Sequence, residues 1–221
     1  MIVETLSIGL PKKEVFYGKE ITTAICKRPV STPLHLRKLG FEGDGVADLK
    51  NHGGPDKAVC VYSLDHYPYW EGILGTKLAP AAFGENLSVS SLKEDDVCIG
   101  DIFQLGTATV QISQPRQACK TLAARYGKID MVRFFTDSGF TGLYLRVLEA
   151  GVVQKGDLLT MKHRDPGQIS VAFANQIYHH DRKSRQGIEA ILGVSALSHS
   201  WQQSLRKRKE KCTEVETSES S

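Results

Sequence analysis

The sequence predicts a mixed, predominantly β fold: a β-barrel-like first domain with a few helices over residues 1–163, then a small all-α domain of three helices with a frayed tail over 168–221. Two observations carry this prediction. Up to Met161, short runs of β-branched and aromatic residues recur between turn residues, the pattern of a barrel or a strongly curved mixed sheet. After the charged, turn-forming stretch His163-Arg164-Asp165-Pro166-Gly167, apolar residues recur at helical spacing instead.

Strands are expected at 2–8, 21–26, 58–62, 86–89, 101–105, 109–113, 143–148 and 157–161, where pleat-filling side chains are bounded by Gly, Pro, Asp or Ser. Gly106-Thr107 falls between two of these runs and marks a tight hairpin. A helix is expected at 64–74, and two short ones at 120–126 and 130–136, where Gly127 and Gly139 provide stops. In the second domain Val171, Ala174 and Ile177 mark a helix over 170–178, and Ile188, Ile191 and Leu192 mark one over 185–192. Leu197, Trp201 and Leu205, at intervals of four, mark the third over 195–211. Helices this short are unstable alone, so they must pack on one another or on the barrel. The polar residues 212–221 should fray.

With 221 residues, 41% of them hydrophobic and 24% charged, the chain can bury one sizeable core plus an appendage but not several catalytic domains. Glu4, Ser7 and Pro11 interrupt the apolar N-terminal run, so neither a signal peptide nor a membrane helix is expected. Cys26, Cys60, Cys98, Cys119 and Cys212 are scattered without a C-x-x-C pair, which argues against a disulfide framework, a zinc site or an iron–sulfur cluster. A reducing, cytoplasmic location is the expectation. Much of the +3 net charge sits in Arg206, Lys207, Arg208, Lys209 and Lys211. Without interleaved aromatic residues that cluster reads as a solvated helix end, not a specific nucleic-acid site.

Unusual residues concentrate in Ser113-Gln114-Pro115-Arg116-Gln117-Ala118-Cys119, between an expected strand and an expected helix. A cysteine there meets the unpaired N–H groups of a helix start, with Arg116 three residues away, and both favour the thiolate that a soft metal or a nucleophilic reaction needs. The alternative is a small buried hydrophobe. In Lys50-Asn51-His52-Gly53-Gly54-Pro55-Asp56-Lys57, paired glycines allow close backbone approach and the cations suit an anionic group, although the stretch also serves as a flexible connection. It lacks P-loop spacing and no helix is expected directly after it. Glu85 and Asn86 in Phe83-Gly84-Glu85-Asn86-Leu87 either bond a heterocycle edge or cap a turn. His66 and the run His179-His180-Asp181 read as packing or surface residues, because adjacent positions on a helix face different ways.

These segments, with Gly40-Phe41-Glu42-Gly43-Asp44 before them, Gly100-Asp101-Ile102-Phe103 among them and Leu197-Ser198-His199-Ser200-Trp201 after them, resemble the YiiM-type branch of the MOSC superfamily in sequence order over nearly the whole chain. The resemblance implies a barrel-like domain holding a molybdenum cofactor, with the metal bound by the pterin dithiolene and by the sulfur of Cys119. It makes His52, Gly53, Lys57, Glu85, Asn86 and Arg116 candidates for lining the cofactor, and His52 a hypothetical proton donor beside Cys119. Ala118 stands where relatives often carry proline, a change that leaves the ligand in place.

The implied reaction is reduction of N-hydroxylated compounds, including N-hydroxylated purine base analogues. No flavin or dinucleotide fingerprint and no cluster-type cysteine spacing is visible, so electrons are expected from a separate flavin or iron–sulfur protein. Neither a membrane nor a specific nucleic acid is an expected partner, and a homodimer is left open. The rival readings are a sulfur carrier with a persulfide on Cys119, and a carrier that passes the cofactor to other enzymes.

Overall fold

The structure, a computed structural model, describes the backbone of residues 1–219 and the side chains of residues 1–211. Its strands are β1 (Ile2–Ile8), β2 (Lys12–Phe16), β3 (Lys19–Thr23), β4 (Arg28–Val30), β5 (Leu34–Arg37), β6 (Gly40–Phe41), β7 (Val59–Ser63), β8 (Leu87–Ser90), β9 (Ile102–Leu105), β10 (Ala108–Pro115), β11 (Leu143–Glu149), β12 (Gly151–Val153) and β13 (Leu159–His163). The helices are α1 (Leu49–His52), α2 (Tyr67–Leu74), α3 (Lys120–Tyr126), α4 (Met131–Ser138), α5 (Val171–Asn175), α6 (Arg185–Leu192) and α7 (His199–Glu219). Residues 212–219, expected to fray, continue α7 in their backbone, and residues 220–221 of the expected tail lie outside the described residues.

Eight strands form one curled half-barrel in the order β13-β9-β10-β11-β7-β8-β1-β4. The β7–β8 pair is parallel, with Val61 opposite Leu87, while its neighbours pair antiparallel. A parallel pair needs a crossover, and α2 lies in the chain between the two strands. The concave face buries the main core, including Val3, Leu6, Val59, Val61, Leu87, Val110 and Leu145. Against one end of the sheet α2, α3 and α4 build an aromatic cluster in which Trp70 stacks on Phe135 at 4.3 Å. The helices α5, α6 and α7 enclose a further core around Ile188, Ile191, Trp201 and Leu205.

Hydrogen bonds tie this helical unit to the sheet: Ser198 N–H donates to Ser113 O at 2.9 Å, Val171 N–H to Val97 O at 2.9 Å, and the Asn175 amide to Thr141 Oγ1 at 2.9 Å. The helical unit therefore abuts β10, the strand that leads to Cys119. Among the described residues no helix is long and apolar enough to cross a membrane.

Several boundaries differ from the sequence reading. The strand expected at 21–26 ends at Thr23 and is half of a hairpin with β2, turned at Tyr17 (φ 48°) and Gly18 (φ 79°). Lysine and glutamate on both strands hide the alternation, and Tyr-Gly is a weaker turn signal than Asn-Gly. The helix expected at 64–74 begins as a 3-10 turn, Leu64–His66, before α2. The third helix of the C-terminal unit starts at His199 rather than 195, because a turn closed by Leu197 N–H on Val194 O comes first and the Ser198 hydroxyl then accepts from Trp201 N–H. The stretch 50–57 contains the end of α1 and the 3-10 turn Pro55–Lys57, and, as expected, a strand and not a helix follows it. Gly127 (φ 61°) and Gly139 (φ 70°) do end α3 and α4 in the left-handed conformation.

Candidate active site

Strand β10 delivers the site. Beyond Pro115 the Arg116 N–H still bonds Gly142 O at 3.0 Å, then the chain leaves the sheet and Cys119 caps α3 with extended backbone (φ −116°, ψ 163°). Burial raises the Cys119 thiol pKa, but a hydrogen bond from His52, the Arg116 guanidinium and the Leu122 N–H outweigh it and lower the value to about 7. The thiolate is thus a major species near neutrality. An acid whose pKa is depressed by folding stabilises the fold above its unfolded pKa, and this contribution is lost as pH falls through about 7. Alkylation of Cys119 by iodoacetamide should therefore show a midpoint near pH 7, and His52→Ala should move that midpoint upward. An unmoved midpoint in the variant would remove His52 from the thiolate's support.

The second segment closes over the sulfur. Asp48 caps α1 by accepting from the Asn51 N–H (3.1 Å) and its amide (2.8 Å), which fixes the turn that carries His52. Gly54 follows at φ 95°, a left-handed conformation open to glycine without penalty. Lys57 returns its ammonium to Asn51 O at 2.7 Å, and partial burial lowers its pKa.

The third segment contributes unequally. Gly84 (φ 81°) lets the backbone pass Ile25, whose Cγ1 would lie 2.6 Å from any Cβ there. Asn86 accepts from Cys60 N–H (3.1 Å) and donates to Asp44 Oδ2 (2.7 Å), while Asp44 pairs with the buried Lys27. Glu85, expected to line the cofactor, instead points away: it is 0% exposed and accepts from Tyr67 OH at 2.6 Å, Phe83 N–H at 3.0 Å and Ser88 OH at 3.0 Å. Its carboxyl fastens the segment from behind, because three donors converge on it.

Together these segments enclose a cavity of about 360 Å³ reached by His52, Gly53, Lys57, Asn86, Arg116 and Cys119. Arg116 is 5% exposed; its Nη2 donates to Phe83 O, but Nη1 has no hydrogen-bond partner among the described residues. Burial disfavours its charge, yet neighbouring Cys60, Tyr144, Cys119 and Glu85 more than offset this and raise its pKa. A buried guanidinium N–H left free costs about 1–3 kcal/mol unless something from outside accepts from it. Among the described residues no group of three His, Cys, Asp or Glu side chains is arranged to hold a metal ion. A metal on the Cys119 sulfur would need its other donors from a cofactor, and the free Arg116 N–H with Lys57 nearby suits an anionic one. The residues present therefore fit a molybdenum–pterin group.

Sequence reasoning missed Cys60, Tyr144, Lys27 and Asp44, which also line the cavity. Burial pushes the Cys60 thiol up to about 11, so it behaves as a hydrophobe beside a reactive neighbour. Nothing local distinguishes Cys60 or Tyr144 from core residues of β7 and β11, whereas Asp44 lies in the Gly40–Asp44 motif and could have been assigned. His66 is buried against Glu94 at 2.8 Å and stacks on Phe140 at 3.9 Å. His180 contacts Thr136 O at 3.0 Å, and burial lowers the His179 pKa to about 4. These histidines pack the structure away from Cys119. In the basic cluster, Arg208 lies over the Tyr178 ring at 4.5 Å and Lys209 pairs with Glu189 at 2.8 Å, so part of it is bound to the helical unit.

The family model for the MOSC domain matches residues 48–160, and that for the YiiM-like, 3-alpha helix domain matches residues 169–211. The chain belongs to the MOSC family, with a YiiM-like C-terminal unit. It is 50% identical over 214 residues to YflK of Bacillus subtilis (strain 168), covering 97% of each chain. A protein named "Reductase" from Gibberella moniliformis (strain M3125 / FGSC 7600) is 34% identical over 158 residues, which are 70% of this chain but 28% of that protein. The crystal structure of YiiM from Geobacillus stearothermophilus superposes with a TM-score of 0.81 at 36% identity, covering 94% of this MOSC chain and 98% of that one.

Proposed function

We propose that this MOSC protein is a molybdenum-cofactor-dependent reductase of N-hydroxylated compounds that receives electrons from a separate flavin or iron–sulfur protein. The observation that carries the proposal is the Cys119 thiol, lowered to about 7, at a cavity where the buried Arg116 keeps a free N–H. Membership of a family associated with molybdenum-cofactor binding and the relative named reductase support it.

When bound, the cofactor supplies the two-electron chemistry that removes oxygen from an N–OH group. Cys119 gives the soft thiolate donor that holds the metal. Arg116 and Lys57 receive the anionic part, and the Gly53-Gly54 backbone leaves room for its approach. The Lys27–Asp44–Asn86 chain of contacts keeps that wall fixed by bonding the Cys60 backbone. His52, in reach of Cys119, is positioned to hold a proton for the departing oxygen. A His52→Ala protein with full molybdenum and full turnover would remove it from that role.

Anaerobic purification followed by molybdenum, pterin and sulfane-sulfur analysis tests the whole reading. Near-stoichiometric molybdenum, with reduction of an N-hydroxylated purine once a donor system is added, is the expected result. Labile sulfane sulfur without metal would replace it with a sulfur carrier. Loss of the cofactor to an acceptor enzyme, with no reduction, would replace it with a cofactor carrier.

A further inference from the structure

None of residues 42–57 is buried and Leu49 is 75% exposed, so the loop that carries His52 and Lys57 has no apolar anchor. Polar contacts must fix its place. Most of them are internal: Asp48 caps α1, the His52 N–H bonds Asp48 O at 2.9 Å and the Lys57 N–H bonds Gly54 O at 3.0 Å. Between Gly45, whose N–H bonds Gly9 O, and the start of β7, the hydrogen bonds that leave the loop for other described residues end on Asp56, apart from the contact of His52 with Cys119.

Asp56 joins three elements to this loop. Its Oδ1 accepts from Arg146 Nη2 of β11 at 2.7 Å, its Oδ2 accepts from the His199 N–H at the start of α7 at 2.9 Å, and its main-chain oxygen accepts from the Ser113 hydroxyl of β10. The His199 N–H is free for this, because the first N–H groups of a helix have no acceptor within it. Two glycines separate His52 from Asp56, and by themselves they would let the two residues swing independently. Lys57 removes that freedom: its ammonium crosses back to Asn51 O at 2.7 Å and closes the loop on itself. The loop therefore moves as one body, and where Asp56 is fastened decides how His52 meets Cys119.

We infer that Asp56 is a positioning residue through which α7 holds the His52 loop against Cys119. The helical unit thereby gains a task at a cavity to which it contributes no wall, since every residue lining that cavity precedes residue 145. The proton-holding use of His52 rests on the reductase reading, whereas the coupling itself is a property of the chain.

His199→Pro tests the link at its far end. Proline suits the first position of a helix, so the substitution deletes the N–H that Asp56 accepts and leaves α7 able to form. His199→Ala loses the same side-chain contact with Gln203 and keeps the N–H. The measurements, at one pH and without substrate or electron donor, are hydrogen exchange of the Asn51, His52 and Lys57 amides and the NMR ring signals of His52, with buried His66 as internal reference. In His199→Pro the amides should exchange about tenfold faster, the factor expected for one hydrogen bond to a charged group. The His52 ring signals should shift while those of His66 stay, and His199→Ala should match wild type. Asp56→Ala, which also releases Arg146, should give the same pattern more strongly. Wild-type exchange and His52 signals in His199→Pro would overturn the inference, and so would unmoved His52 signals in Asp56→Ala should the proline variant fail to fold. Lower thermal stability with His52 unmoved would likewise overturn it, by reducing Asp56 to a brace between the two units. Coupling observed in a protein that binds no molybdenum would sink the reductase reading and leave this inference standing.

Discussion

Cys119→Ser should leave the fold intact, reduce molybdenum per chain at least tenfold and bring reduction of N-hydroxylated compounds to background. The expectation follows from how the site is built. The thiol is half-buried at the N-cap of α3, and a hydroxyl is smaller than a thiol, so exchange of sulfur for oxygen disturbs little packing. What changes is the donor. His52, Arg116 and the Leu122 N–H stabilise a negative sulfur, and a serine hydroxyl stays protonated in the same place and is a harder ligand. Metal analysis of the purified variant, paired with its thermal unfolding curve, separates loss of the ligand from loss of structure. Full molybdenum in a well-folded Cys119→Ser protein would refute the assignment of Cys119 as ligand.

Glu85→Gln should have a different and chiefly structural effect, lowering stability by about 2–4 kcal/mol and the midpoint of thermal unfolding by roughly 5–15 °C. Both carboxyl oxygens of Glu85 act as acceptors, one for Tyr67 OH and Ser88 OH and the other for the Phe83 N–H. A carboxamide offers one acceptor oxygen, so an NH₂ must face at least one of those donors at a fully buried position. The variant also removes a group that supports the charge of buried Arg116. Ser88→Ala, which deletes one of the three donors and leaves both oxygens in use, should cost about 1 kcal/mol. Equal melting temperatures for Glu85→Gln and wild type would contradict the arrangement described.

Much of the fold was legible because local pattern and tertiary role coincide. The run at 2–8 is rich in β-branched residues and became β1 despite an irregularity between Val3 and Thr5 that breaks its alternation, and the glycine stops at 127 and 139 placed the ends of α3 and α4. The strands that escaped, β2, β4, β5, β6 and β12, are two to five residues long, and in β2, β4 and β5 charged or exposed residues also mask the period. Their pairing is decided by neighbours: β5 forms because β6 and β12 lie on either side of it. The same division holds at the site. Cys119, Arg116, His52 and Lys57 stand out by type and spacing, whereas Tyr144 and Cys60 belong to the site only because β11 and β7 bring them beside Arg116.

The chain alone determined that a thiol would sit where a strand gives way to a helix, with a guanidinium three residues before it, since both are consequences of order along the backbone. It also set the change from a β-rich to a helical region near residue 163, because side-chain periodicity is local. Only the tertiary structure decided that Glu85 faces away from the cavity while Asn86 reaches it, since in the bend before β8 each side chain follows its partners: Tyr67, Phe83 and Ser88 for Glu85, Cys60 and Asp44 for Asn86. It alone brought Trp201 near Cys119, across 82 residues of sequence, because that proximity comes from packing α7 against β10 and not from any property of either segment.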